Sequence, residues 1–476
     1  MAETGIQSAH IHERAAEALR DPRLQAAYTS STLRLYKERI AAFSEVPGYE
    51  RLRDRARAIK REVIEHLDEY LAQYADNAGR SGCRVWWAAD AAEVCGAVRE
   101  IAQKAGVKEF VKSKTMVGEE VELNDALERD GIRGIETDLG ELIIQLAHER
   151  PAHIVAPAIH KTRQDVSNLF SKYLGAEPTT EPRRLTEIAR GALRSAFSRA
   201  GLGLSGANFA VASSGAIVLV ENEGNIRLCT TAPRIHIALV GIEKIIPRME
   251  DLAVFLRLLA RSGTGQKLTA YTSILTGPRR PGEDGPEEMH VILVDNGRTR
   301  ALADERTRES LYCIRCGACL NACPVYRKIG GHAYGWVYSG PIGALVTPEY
   351  NGIGAARELP FASSLCGACR EVCPVRINIP DILLHLRAEA QKRPSAGGAA
   401  GAPRGERLSM RAWAWVMKRP WAYRLAASLA RRAQGLYASG GWIRRVPFNP
   451  VKGWTDERDF PALARRSFRE RWNRRA

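Results

Sequence analysis

Cys313-Ile-Arg-Cys316-Gly-Ala-Cys319-Leu-Asn-Ala-Cys323-Pro324, and further on Cys366-Gly-Ala-Cys369-Arg-Glu-Val-Cys373-Pro374, are the stretches on which the reading of this chain turns. Together they hold seven of its ten cysteines. The first has the C-x2-C-x2-C-x3-C-P spacing of bacterial-type iron–sulfur proteins, and the second is the same run with its first cysteine missing. Two-residue gaps let successive thiolates converge on one iron–sulfur cube, and Gly317 and Gly367 relieve crowding where the backbone wraps closely. The x3-C-P step starts a new segment, so its cysteine serves the other cluster. The spacing therefore predicts one cluster on Cys313, Cys316, Cys319 and Cys373, and a second on Cys323, Cys366 and Cys369. Register puts Ser363 where the eighth cysteine would stand. The expectation is two [4Fe-4S] clusters, with the second either a [3Fe-4S] cluster or completed by Ser363, Ser364, His332 or water.

A pair of zinc knuckles is the alternative for C-x2-C pairs, but zinc sites use two pairs, or a pair with histidines, and no triple run ending in C-P. A disulfide framework fits worse, because the cysteines are packed too closely and no secretory h-region opens the chain. The 476 residues, 45% hydrophobic and 26% charged, imply two or three globular domains. No run of about 18 apolar residues is present, so no membrane span is expected. Reduced thiolate clusters suit the cytoplasm. The net charge of +16 is uneven: residues 406–476 carry 17 Lys+Arg against 5 Asp+Glu, and six of the nine tryptophans.

Outward from the cysteines, residues 1–80 read as helical, with EVIEHLDEYLAQYA spacing apolar residues along one face. This region is expected to be a docking hairpin or cap. Residues 81–300 alternate strand and helix: RVWWAA, AAEVCGAVREIAQKAG, EFVKSKT, VGEEVELNDALERDG and IRGIETD. That alternation predicts an α/β domain with a largely parallel sheet. Polar groups gather where strands end, where α/β domains bind ligands. They are Lys112, Ser113 and Lys114, then Glu136, Thr137 and Asp138, and His160 and Arg163 after the apolar HIVAPAI. AIVLV, ENEGN and IRLCT read as a β-hairpin before the strand HIALVG, and MHVILVD as the last strand. Cys95 and Cys229 read as core. GLGLSG at 201–206 lacks the preceding strand of a dinucleotide fingerprint, and Ser213-Ser214-Gly215 precedes a strand, so it is no nucleophile elbow.

VKSKTM, EEVELN, IETDLGE, PAHIVAPAIH and ASSGAIVLVENEGN, in that order ahead of the cysteine motifs, resemble the bacterial lactate utilization protein B family. The resemblance covers nearly the whole chain. It implies a LUD domain related to the sugar-isomerase and CoA-transferase α/β fold, an α-helical ferredoxin-like two-cluster domain, and a basic family-specific tail. It also implies a three-component lactate-oxidising system, whose other members are a protein with cysteine-rich repeats and a smaller LUD-domain protein.

The cysteine-rich segment spans 301–393, and IGGHAYGWVYSGPIGALVTP replaces a free ferredoxin's short spacer as a wall around the clusters. PSAGGAAGAPRG (394–405) is a linker by composition, and 406–476 is a basic, Trp-rich region. The tail suits packing, a partner subunit or an anionic membrane surface; no nucleic-acid motif accompanies it. The leading expectation is an electron-transfer subunit for oxidation of L-lactate to pyruvate, with the substrate chemistry left to a partner or to a site that the sequence does not mark. One alternative is a LUD domain that itself binds a 2-hydroxy acid through Lys112, Lys114, His160 and Arg163. Another is the iron–sulfur subunit of a glycolate-type oxidase.

Overall fold

The computed structural model describes residues 5–392, 404–447, 452–455 and 458–473. The chain divides into two compact units, Met1–Ala399 and Ala400–Ala476. In the first, ten strands are β1 Arg84–Ala88, β2 Glu109–Lys112, β3 Arg133–Glu136, β4 Leu202–Ser205, β5 Phe209–Val211, β6 Ala216–Glu221, β7 Ile235–Gly241, β8 Ile245–Ile246, β9 Tyr271–Leu275 and β10 Glu288–Val294. Six of them form an all-parallel sheet in the order β1-β10-β7-β4-β2-β3. Parallel sheets are covered on both faces, so their strands need apolar side chains on both. β7, IHIALVG, is buried throughout for that reason. A second, mixed sheet runs β8-β5-β6-β9.

Several sequence expectations change here. GLGLSG, set aside as a dinucleotide fingerprint, is itself strand: residues 202–205 are the buried strand β4, and a Cβ at Gly203 would lie 1.8 Å from the Cys229 carbonyl oxygen. Glycine is what lets the following helix lie against the strand, at the cost of the β-branched residues that mark strands in sequence. IRLCT does not return as a hairpin strand. After Gly224, in the left-handed region, Asn225–Thr231 is a helix whose first N–H groups, on Ile226 and Arg227, donate to the Glu221 carboxylate. The antiparallel partners of β6 are instead β5 and β9. HIVAPAI is a partly buried turn, not a strand: His153 Nδ1 accepts from the N–H groups of Val155 and Ala156. VGEEVELNDALERDG makes two short helices, Met116–Glu120 and Leu123–Glu128, parted at Glu122 with φ 50°.

Four helices, Ile11–Arg20, Pro22–Ser44, Tyr49–Glu65 and Leu67–Arg80, form the N-terminal region. They brace the cysteine-rich segment through arginines that reach helix-end carbonyls. Arg39 donates to Val372 O at 2.8 Å, and Arg53 to Glu371 O and Cys373 O at 2.7 and 2.8 Å. These carbonyls end the short helix Ala368–Val372 and have no partner within it. The expected wall includes the helix Gly340–Asn351, buried at every position from Gly340 to Tyr350. The wall meets the α/β part without a gap: a Cβ at Gly331 would fall 1.7 Å from Ala152 O.

The second unit holds the helices Arg404–Met417 and Pro420–Ala433 and a small antiparallel sheet of Ala438–Ser439, Trp442–Ile443 and Phe460–Pro461. The linker expected at 394–405 lies outside the described residues up to 403, while Arg404 and Gly405 open the first helix. Among the described residues no helix is long and apolar enough to cross a membrane.

Candidate metal centre

Two matching loops present the cysteines. Gly317 and Gly367, at φ 76° and 86°, turn the chain into the helices Ala318–Ala322 and Ala368–Val372. The backbone then supplies N–H groups to sulfur: Arg315 N to Cys313 Sγ at 3.4 Å, Tyr326 N to Cys323 Sγ at 3.4 Å, and Ile377 N to Cys373 Sγ at 3.3 Å. Five of the seven thiols are buried, Cys313 is half-buried and Cys366 is exposed.

Electrostatic neighbours sort these thiols. Burial pushes Cys316 up to about 12, with Cys313 and Cys373 adding to the shift. Cys373 rises to about 11 through burial and Cys313. Cys369 rises to about 12 through burial, Cys323 and Cys366. Cys319 is raised by burial, then by Cys313, Cys316, Cys369 and Cys373. Like charges crowded in a dry site are unstable as thiolates unless a cation joins them. Iron is such a cation, and the donor set fits an iron–sulfur group.

An orphaned hydroxyl makes the same point. Tyr334 is fully buried and its Oη has no hydrogen-bond partner. Burial raises its pKa, followed by the charges of Cys323, Cys319 and Cys369. A phenol left without a partner costs free energy; a sulfur of the iron–sulfur group is an acceptor that would satisfy it. Tyr334→Phe should therefore keep the iron but lower the reduction potential of the iron–sulfur centre beside it. One hydrogen bond of about 1 kcal/mol corresponds to roughly 40 mV for one electron. Redox titration of variant and parent checks it; an unchanged potential removes Tyr334 from this role.

The loop is held rigidly from the α/β side. Asn321, between Cys319 and Cys323, donates through Nδ2 to Gly263 O at 3.1 Å and accepts at Oδ1 from His153 Nε2 at 3.1 Å. Burial holds His153 down to about 3, so it is neutral with its proton on Nε2. Tyr326 Oη donates to Ala152 O at 2.7 Å. Asn321 carried no signal in the sequence, because its partners lie more than 50 residues away.

The candidate eighth ligands fare differently. Ser363 Oγ accepts from Leu365 N at 3.1 Å and Ser364 is exposed. His332 Nε2 donates to Arg150 O at 2.8 Å and its ring meets His160 edge-on at 4.5 Å, so it is engaged on the α/β side. The four residues proposed for a 2-hydroxy acid do not converge. Lys112, the last residue of β2, is fully buried between Glu119 and Glu136 at 2.7 and 2.5 Å. A buried ammonium needs carboxylates, and these two hold it above its ordinary range despite burial. His160 pairs with Glu149 at 2.7 Å, beside Lys161, and Arg163 is an exposed first residue of the helix Arg163–Leu174. Of the four, Lys114 alone lines the cavity at the carboxyl ends of the strands.

Comparisons with known proteins bear on the same segments. The LUD domain family model matches residues 71–294 and the 4Fe-4S dicluster domain model 309–377. The lactate utilisation protein B C-terminal model matches 385–476. Lactate utilization protein B of Bacillus licheniformis is 43% identical over 467 residues, 98% of this chain and 96% of that protein. The protein of the same name from Bacillus cereus (strain AH820) is 41% identical over 466 residues, 98% and 97% of the two chains. This chain belongs to the lactate utilization protein B family.

Its parts follow the order expected for lactate utilization protein B: a LUD domain with a parallel α/β sheet, a 4Fe-4S dicluster domain, and the family's own C-terminal region. A solved DUF162 family protein from Deinococcus radiodurans aligns over 48% of this chain and 98% of its own, at 17% identity and a TM-score of 0.27.

Proposed function

We propose that this chain is the iron–sulfur electron-transfer subunit of a system that oxidises L-lactate to pyruvate, and that it works in the cytoplasm. It would hold two [4Fe-4S] clusters, one on Cys313, Cys316, Cys319 and Cys373, the other on Cys323, Cys366, Cys369 and one further ligand. Each cluster supplies reversible uptake of a single electron. The observation that carries the reading is the sorting of the cysteines. Cys316 and Cys373 take their thiol neighbours from the first set and Cys369 from the second, while Cys319 feels both. Cys319 and Cys369 would thus stand on the short path between two centres. Arg53 and Arg39 fix the backbone on one side and His153 with Asn321 on the other, which keeps that path at constant length. The buried helix Gly340–Asn351 helps keep water from the site.

Anaerobic purification with iron and sulfide analysis, and electron paramagnetic resonance before and after dithionite, tests this. About eight irons and two interacting signals on reduction are expected. About seven irons with a signal already in the oxidised protein would make the second centre a three-iron cluster, and zinc without iron would overturn the reading.

The partners proposed are the cysteine-rich-repeat protein and the smaller LUD-domain protein of such a system. The second unit supports a docking role, because Trp413, Trp415 and Trp421 are each about half exposed on its two helices. Aromatic residues of this kind anchor interfaces. Replacing Trp413 and Trp415 by alanine should lower co-purification of those partners several-fold and leave the iron content unchanged; equal recovery would discard the tail as the docking element.

A further inference from the structure

A cavity of about 870 Å³ opens at the carboxyl ends of β2, β3, β4 and β7. Its opposite wall is the cysteine loop, through Arg315 and Cys316, so a single space touches both the sheet edge and a residue proposed to bind iron. Its size is that of sites that enclose whole organic ligands.

The charged groups lining it differ in what they already do. The acids are mostly bonded, with Glu243 Oε1 the exception. Asp138 Oδ1 accepts from Gly140 N and Glu141 N, Glu221 from Ile226 N and Arg227 N, and Glu223 from Leu139 N. Glu243 is taken by Arg298, which also grips Glu120. The cations deepest in the cavity are not occupied in this way. Arg315 is 8% exposed along its side chain, and its Nε and Nη1 have no hydrogen-bond partner; only Nη2 is used, by Tyr350 Oη at 3.1 Å, with Glu243 Oε1 at 3.6 Å. Lys114 Nζ is buried and unbonded, with the Glu141 carboxyl 3.8 Å away. Lys244 is 8% exposed and makes no side-chain hydrogen bond among the described residues, although the Glu243 charge acts on it. Buried donors without acceptors, here Lys114 Nζ and Arg315 Nε and Nη1, are costly, and with Lys244 three cations share one space. An anion in that space satisfies all three.

We infer that this cavity binds an organic oxyanion, a carboxylate or a phosphate on a molecule up to mononucleotide size, seated on Lys114, Lys244 and Arg315 against the Cys316 loop. The inference concerns binding and does not rest on lactate being the electron source. The guanidinium offers Nε and Nη1, both without acceptors and on different edges, so each is a single donor to an oxyanion oxygen. Gly263 forms the seam beside it: a Cβ there would come 2.8 Å from Cys316 O. A ligand in the cavity is therefore in the same packed wall as the first cluster's loop.

Calorimetry on the full chain with its iron content verified, titrating pyruvate, inorganic phosphate and flavin mononucleotide separately, tests this. Saturable binding of at least one is expected, and the winner separates a carboxylate source from a phosphate source. Lys114→Met and Lys244→Met should each weaken it tenfold or more. Arg315→Met should do the same, but it stands inside the cysteine motif, so the two lysine variants decide where its iron content falls. The ligand should also alter the resonance of the centre holding Cys316. No saturable binding by any of the three to iron-replete protein would overturn the inference, as would binding that Lys114→Met and Lys244→Met leave unchanged. Substitutions that shift only the cluster potential would assign the cations to balancing cluster charge instead. Because iron content and spectra are read separately, loss of the binding site and loss of the electron-transfer reading remain distinguishable.

Discussion

Replacing Cys373 with serine should remove one iron–sulfur centre and spare the other. The iron content is expected to fall from about eight to about four per chain. The remaining signal should be that of the centre on Cys323, Cys366 and Cys369. Cys323→Ser should give the complementary result. The argument rests on how the two runs cross. Cys373 stands in the second run, yet its thiol is raised by Cys313 of the first, after burial. Cys369, only four residues earlier, is raised by Cys323 and Cys366. A pairing by order along the chain would put Cys366, Cys369 and Cys373 on one centre and would predict that Cys373→Ser and Cys369→Ser look alike. Electron paramagnetic resonance of the three variants, reduced under the same conditions, decides between the two assignments; matching spectra for Cys373→Ser and Cys369→Ser would refute the interleaved one.

The largest stability effect is expected at Arg298. Its side chain is wholly buried and bonds both oxygens of Glu120, at 2.8 and 2.9 Å, and Glu243 through Nε. Glu120 also accepts from Tyr338 Oη at 2.7 Å and Asn296 Nδ2 at 2.6 Å, so the network ties the LUD domain to the wall around the cysteines. Burial alone would raise Glu243, but Arg298, Lys244 and Arg315 outweigh it and hold it down to about 2. A carboxylate held below its ordinary value adds stability at pH above that value, and the contribution is lost as pH falls towards 2. Arg298→Met would strand two buried carboxylates, at a cost of about 3–5 kcal/mol. That is a large share of ordinary folding stability. Arg298→Lys should recover only part, since an ammonium cannot fork between both oxygens of Glu120. Anaerobic urea denaturation of the three proteins checks this. A midpoint shift in Arg298→Met no larger than that of an exposed arginine such as Arg163 would show that the network adds no stability.

The two cysteine runs carried their reading in the sequence because their chemistry is local. Thiolates two residues apart meet the same metal whatever surrounds them, and Pro324 and Pro374 mark where each run turns away. Alternating apolar segments likewise announced the parallel sheet, since each strand buried on both faces leaves a continuous apolar run. β4 escaped because close packing against the Cys229 carbonyl demanded glycine at 203. The helix Asn225–Thr231 was mistaken for a strand because its start depends on the Glu221 carboxylate and the left-handed Gly224 more than on propensity.

The sequence by itself determined the family resemblance, the α/β and cysteine-rich parts, and the seven thiols. Only the tertiary structure decided which cations are fully bonded and which keep donors without acceptors. Lys112 and Lys114 look equivalent along the chain, yet Lys112 lies between two carboxylates while Lys114 faces the cavity. Arg315 and Lys244, 71 residues apart, meet there only because the cysteine loop folds back over the carboxyl ends of the strands. Charge pairing in a buried site depends on distances of a few ångström between segments remote in sequence, and no local pattern of residues encodes them.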